Sequence, residues 1–229
     1  MSIRHLHSLL VLACCTLIVG CATNRSEVTI ASPHVAAPSA PMLTGRSVYI
    51  RDVTDERVFE EAPKDPGTPS LGFEGSAKAS DELKSRAIGR KRNTFGKALG
   101  DVVLAPGQSV NGLIRENVAA AMVAAGYQLA DKPDATPAPL ILDVHIKRFW
   151  SWFNPGAFTI TLNAQVETSL EFAEAGAPAT ISVHATDSRM AATESSWIEI
   201  VSKGLSEYRI RLSDKAPAFP QPGNRTAEK

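Results

Sequence analysis

Cysteine is scarce: the 229-residue chain has three, at positions 14, 15 and 21. All lie near the N-terminus, so a folded body further along has none to bridge. Its stability must come from an ordinary apolar core. The spacings that reactive chemistry uses are missing as well. There is no C-x-x-C, no G-x-S-x-G, no Gly-rich phosphate loop and no histidine pair at helical spacing. Lysine plus arginine (24) equals aspartate plus glutamate (24), so no net field favours nucleic acid. The uncharged apolar run Leu9–Gly20 would extend only about 18 Å as a helix, against a hydrocarbon core of about 30 Å. These absences argue against a disulfide scaffold, a nucleic-acid binder, a familiar hydrolase and a stable spanning helix. The expectation is a protein without catalytic residues.

The N-terminus carries an export signal. Arg4, with His5 and His7, gives a short positive start before the apolar run. The run closes on Ile18-Val19-Gly20-Cys21, which resembles the bacterial lipobox. That resemblance implies cleavage before Cys21, a diacylglycerol on its thiol and an acyl chain on the new amine. No other cofactor and no metal is expected. One acyl chain binds a membrane marginally, at about 0.8 kcal/mol per buried CH₂, whereas two or more hold it stably. Ala22 follows the cysteine, and in the sorting pattern of Gram-negative lipoproteins a non-aspartate there implies the outer membrane, facing the periplasm. Inner-membrane retention is the other destination.

The organisation expected is a signal over 1–20, lipidated Cys21 with a flexible tether over 21–45, and a domain over 46–215. Residues 216–229 read as a disordered tail. Ala, Ser, Pro and Thr dominate the tether, and such a segment reaches about 25–30 Å on average and about 75 Å at full stretch. Within the domain, Ser47–Val53 reads as a strand, with Val48, Ile50 and Asp52 on one face and Tyr49, Arg51 and Val53 on the other. Residues 54–86, rich in Pro and Gly, read as a long loop. A hairpin is expected across 87–93 and 101–104.

Val110, Leu113, Ile114, Val118, Ala121 and Met122 recur at helical steps, predicting a helix over 109–125, with Gly126 at its left-handed C-cap. Strands are expected over 140–152, 158–172 and 180–191. In the second, Phe158 and the even positions after it point inward. A last helix is expected over 195–212, with Trp197, Val201, Leu205, Tyr208 and Leu212 on one side. The fold class is therefore α+β: a mixed, largely antiparallel sheet of four to five strands with two amphipathic helices on one face.

From Ser47 to about Leu212 this order resembles the YajG-type family of uncharacterised bacterial lipoproteins. Ile50-Arg51-Asp52-Val53-Thr54-Asp55-Glu56-Arg57 and the stretch Val110 to Tyr127 carry the likeness. It implies an outer-membrane location and no defined role.

Two clusters stand out as candidate contact surfaces. Phe149-Trp150-Ser151-Trp152-Phe153 sets four large rings in five residues. Alternation puts Trp150 and Trp152 on the core side and Phe149 and Phe153 opposite. Exposed aromatics mark interfaces, although Trp197 and Tyr208 of the last helix could cover them. Arg86, Arg90, Lys91 and Arg92, with Lys97, form the one basic cluster, suited to lipid phosphates or an acidic partner unless nearby acids neutralise it. Asp52, Asp55 and Glu56 with Arg57 read as a pinned strand exit rather than a metal site. His145 and His184 read as a surface pair, not zinc ligands.

The expected function is a membrane-anchored periplasmic lipoprotein acting as a binding or assembly module, with an envelope protein as its partner. Carriage of a small ligand or lipid is the alternative, and an envelope hydrolase a minor one.

Overall fold

The computed structural model describes residues 25–34, 46–72, 75–93, 95–173 and 177–220. The strands are β1 (Ser26–Val28), β2 (Ser47–Asp55), β3 (Ala87–Arg92), β4 (Ala98–Leu104), β5 (Gln128–Leu129), β6 (Leu140–Pro155), β7 (Ile160–Phe172) and β8 (Ala179–Arg189). The helices are α1 (Asp81–Arg86), α2 (Val110–Ala124) and α3 (Glu194–Lys215). The class is the α+β one expected, but among the described residues the mixed sheet has eight strands rather than four or five.

The long strand β6 is the spine. One edge pairs with antiparallel β7 from Leu142 to Pro155, and β8 lies antiparallel outside β7. The opposite edge is shared. Parallel β2 takes the first half of β6, and β3 meets the second half where Gly89 pairs with Ser151. Beyond β3 come β4 and then β1, while β5 flanks β2. At the β3–β6 junction the backbones approach so closely that a Cβ on Gly89 would lie 2.9 Å from the Ser151 carbonyl oxygen and 2.8 Å from the Trp197 ring. Only glycine fits there.

The helices form where their sequences supply caps and an apolar stripe. Ser109 Oγ accepts from Gly112 N at 3.1 Å, and Gly126 closes α2 with φ 90°. The six apolar positions expected to face inward in α2 are all buried. α3 opens with a Thr193/Ser196 capping box and buries Trp197, Ile200, Val201, Leu205, Tyr208 and Leu212. Asn117 of α2 accepts from Arg209 of α3 at 2.6 Å, tying the two together. Tyr208 hydrogen-bonds Thr168 of β7 at 2.8 Å, and burial pushes its phenol well above the usual tyrosine range.

Two β-bulges invert the expected faces. In β6 the register shifts between Ile146 and Arg148, leaving Lys147 as an extra residue. Before it, Leu140, Leu142, Val144 and Ile146 face the helices; after it, Phe149 and Phe153 do, and Trp150 joins a second cluster instead. A like shift at Arg51 of β2 returns Val53 to the side of Val48 and Ile50. A bulge adds one residue to one strand, so every later side chain changes face.

The second cluster covers the sheet face away from the helices. Leu71, Ala87, Val103 and Trp150 are its buried members, and Phe59, Ala79, Leu83 and Trp152 pack against them. Its lid is the stretch expected to be a long loop, which is firmly packed where described. Ser70 and Ser76 are buried, Ser76 Oγ donates to the Glu60 carbonyl at 2.7 Å, and α1 closes the stretch.

Both ends of the domain extend past their expected limits. β1 lies inside the segment read as a tether, pairing with Val102–Leu104 of β4. Ile30 is buried, its N–H donating to Gln108 at 3.0 Å. At the other end, Ala216–Ala218 forms a 3₁₀ turn, Tyr127 donates to the Ala216 carbonyl at 3.1 Å, and Phe219 packs on Phe172. The apolar residues Val28, Ile30 and Phe219 carry these extensions, since each buries a side chain that the bare tether or tail would leave in water.

Candidate functional site

Cys21 lies outside the described residues. The described chain begins at Arg25, four positions on, and β1 begins at Ser26.

None of the four aromatic rings is exposed: two are buried and two half-buried. Phe149 and Trp150 are 1 % and 2 % exposed, on opposite faces of the sheet. Phe153 stacks on Trp197 with ring centroids 3.8 Å apart, so α3 covers it. Trp150 lies under the 56–80 segment, edge-on to Phe59 at 6.0 Å, its indole N–H donating to the Pro66 carbonyl at 3.2 Å. Trp152 stacks on His184 at 5.3 Å. Phe149 and Trp150 are core, and Trp152 and Phe153 are half-buried against it.

The basic cluster is mostly mortar. Arg86 donates to the Leu104 carbonyl at 2.8 Å and pairs with Glu27 at 2.7 Å, locking β1 and β4 to the start of β3. Arg90 donates to the Leu71 carbonyl at 2.9 Å and faces buried Asp101. Lys91 reaches Ser26, which itself donates to Glu194. Arg92 donates to the carbonyls of Pro63 at 3.1 Å and Gly96 at 3.3 Å. Desolvation, with Arg90 beside it, holds its pKa below the ordinary arginine value. Of the five, Lys97 alone is exposed. An open concavity of about 480 Å³ lies beside this region, lined by Glu61, Pro63, Lys64, Arg90, Arg92 and Phe95 among others.

The acidic strand exit is structural, as its pattern predicts. Asp55 holds Arg57 through two hydrogen bonds of 2.8 and 2.7 Å. Glu56 accepts from His145 Nδ1 at 2.6 Å and from Lys147, which together hold its carboxyl below the usual range, Lys147 contributing more. His145 sits opposite Ser169 and His184 opposite Gln165, so the two histidines are not cross-strand neighbours. Among the described residues no group of three or more His, Cys, Asp or Glu is disposed to hold a metal ion.

Asp143 and Arg51 form a two-pronged pair between β6 and β2, with Nε to Oδ1 at 2.9 Å. The guanidinium holds Asp143 below the ordinary aspartate value. A carboxyl so depressed stabilises the fold above its unfolded pKa of about 4, and that contribution drains away as pH falls through the lower folded value. Acid unfolding of Asp143→Asn should therefore show a shallower loss of stability below about pH 4 than the parent chain. An identical acid limb in the two proteins would mean that the pair contributes nothing.

Sequence reasoning missed a third group. Phe158, expected inward, is 90 % exposed; Phe95 is 93 % and Met190 88 % exposed. Each sits at a strand end beside a turn, where alternation stops being informative. The Asn154-Pro155-Gly156 turn immediately before Phe158 was the available signal.

The architecture defines the protein at the level of an α+β domain with a mixed eight-stranded sheet and both long helices on one face. No family model and no curated protein matches the chain. Solved structures do. An uncharacterised protein shows a TM-score of 0.44 at 7% identity, covering 85% of this chain and 99% of its own. A Xanthomonas campestris protein of the DUF330 family gives 0.43 at 12%, covering 83% and 99%. A Caulobacter crescentus protein provisionally described as a lipoprotein gives 0.28 at 13%, covering 48% and 85%. At these values they assign this chain neither family nor role.

Proposed function

We propose that this chain is an envelope lipoprotein whose α+β domain is held close against a membrane by acylated Cys21 and serves as a binding or assembly module without catalytic residues. One observation carries the reading: β1 begins five residues after Cys21. Five residues extend at most about 18 Å. The lipobox-like cysteine thus lies at most about 18 Å from the start of the folded body instead of ending a long leash. None of the helices among the described residues is long and apolar enough to cross a membrane.

The side chains most able to react are engaged in structure. His145 is tied to Glu56, exposed His184 stacks on Trp152 and hydrogen-bonds Asn163, and Arg57 and Asp101 are buried in packing contacts. This favours recognition over chemistry. The layer between helices and sheet, where a carried ligand would sit, is filled by Tyr208, Met122, Ile114 and Phe149, all essentially inaccessible. The outer membrane is the proposed destination, on the strength of Ala22 and the YajG-type likeness.

Replacing Cys21 by serine should abolish lipid addition, visible in the intact mass, and move the protein from the membrane to the soluble fraction of the periplasm. Two acyl chains are enough to make the difference nearly complete. Unchanged processing and fractionation would remove the anchor from the account.

A further inference from the structure

The sheet register places the three most exposed large hydrophobic side chains at the end where the chain leaves β1 toward Cys21. One rung crosses six strands: Ser26 pairs with Val102, Val102 with Gly89, Gly89 with Ser151, Ser151 with Ala164 and Ala164 with Ala185. β1 is parallel to β4, and β3 is parallel to β6, so directions from that rung are fixed. Phe95 lies six residues beyond Gly89 in the β3–β4 turn, Phe158 seven beyond Ser151 in the β6–β7 turn, and Met190 five beyond Ala185 after β8. Traced backwards, the chain leaves Ser26 through Arg25 toward the same end, and Cys21 is five residues before Ser26 in sequence. At about 3.3 Å per residue the three tips reach levels within about 7 Å of one another. Six strands at about 4.8 Å spacing make the end about 24 Å wide.

These three residues are the most exposed large hydrophobic side chains described, each close to nine-tenths in water. The tip segments 93–97, 156–159 and 190–192 hold a single charge, the positive one of Lys97. At the opposite end the β5–β6 connection carries Asp131, Lys132 and Asp134.

The short chain to Cys21 lets a bilayer meet the molecule in two ways, along the outer edge of β1 or at this end. The β1 edge presents Arg25 and Glu27, whose side chains are about half exposed and charged, and such groups are costly to bring into acyl chains. We infer that the end bearing Phe95, Phe158 and Met190 is a bilayer-contact surface, its three apolar tips entering the membrane interface beside the acylated cysteine. Interfacial apolar side chains settle about 5–10 Å into the headgroup boundary, enough to take all three tips together. Lys97 then meets lipid phosphates. Anchor and tips together fix the domain upright on the membrane, with the charged end facing away. This rests on the acylation of Cys21 proposed above.

The test uses the mature lipoprotein reconstituted into phosphatidylethanolamine/phosphatidylglycerol vesicles. Single variants Phe95→Cys, Phe158→Cys, Met190→Cys and, at the far end, Lys132→Cys are labelled with an environment-sensitive fluorophore. Lipids carrying nitroxides in their acyl chains should quench the three tip labels and leave the Lys132 position bright. Tip labels as bright as that control, on protein whose wild type takes up no label, overturn the inference while the anchor stands. A blue shift at the tips without lipid quenching also overturns it, in favour of a protein contact. Labelling of the wild type at Cys21 reveals a free thiol and removes both readings.

Discussion

Arg57→Ala should destabilise the domain by about 3–5 kcal/mol, the range for stripping one partner from a buried, hydrogen-bonded charge pair. The side chain is fully inaccessible and links four elements. It donates twice to Asp55 at the end of β2, to the Lys84 carbonyl of α1 at 2.7 Å, to Ala87 of β3 at 2.6 Å and to Phe149 of β6 at 3.1 Å. Its guanidinium also lies 5.2 Å from the centre of the Phe59 ring. Alanine would leave three carbonyls short of a donor and the Asp55 carboxylate without its cation. For a chain of this size that loss corresponds to a fall in Tm of roughly 6–20 °C.

The geometry sets the order of the controls. Arg57→Lys keeps the charge but not the planar fork, so it should recover only part of the loss. Adding Asp55→Asn to Arg57→Ala removes the stranded charge and should be less harmful than the sum of the two single changes. Denaturant midpoints of the mature chain read all three. A shift below about 1 kcal/mol for the alanine variant would show that Arg57 acts like a surface residue.

What the sequence showed and what it hid divide along physical lines. α2 and α3 were legible because a helical stripe needs only local spacing, and Ser109 and Gly126 mark the ends of α2. β7 was legible from Leu162 to Leu170 because it carries no bulge. β6 and β2 were misread past Lys147 and Arg51, because one extra residue reverses parity and leaves no compositional trace. The basic residues were visible as a cluster, but their partners are mainly backbone carbonyls of distant loops, which no sequence pattern names. β1 was hidden by its length, three residues with a partner 76 positions away. The run Phe149–Phe153 did carry a signal. Large apolar residues on both parities describe a strand covered on both faces, and the structure supplies the second cover from residues 56–80.

That second cover makes the aromatic run a stability element, which one pair of substitutions separates from a contact surface. Trp150→Ala should cost about 3–5 kcal/mol, as for other large aromatics removed from a core. It empties the centre of the Leu71–Ala87–Val103 cluster and leaves the Pro66 carbonyl without its indole donor. Phe158→Ala removes a ring that is 90 % in water and should stay within about 0.5 kcal/mol of the parent. Strand alternation, which puts both Trp150 and Phe158 on the core side, would have the two substitutions cost alike. The Trp150 variant should also expose the 56–80 segment to protease before the rest of the domain unfolds, since the ring holds that segment to the sheet. Equal stabilities for the two variants, measured as denaturant midpoints, would mean that the far face of the sheet is open and Trp150 is a surface residue after all.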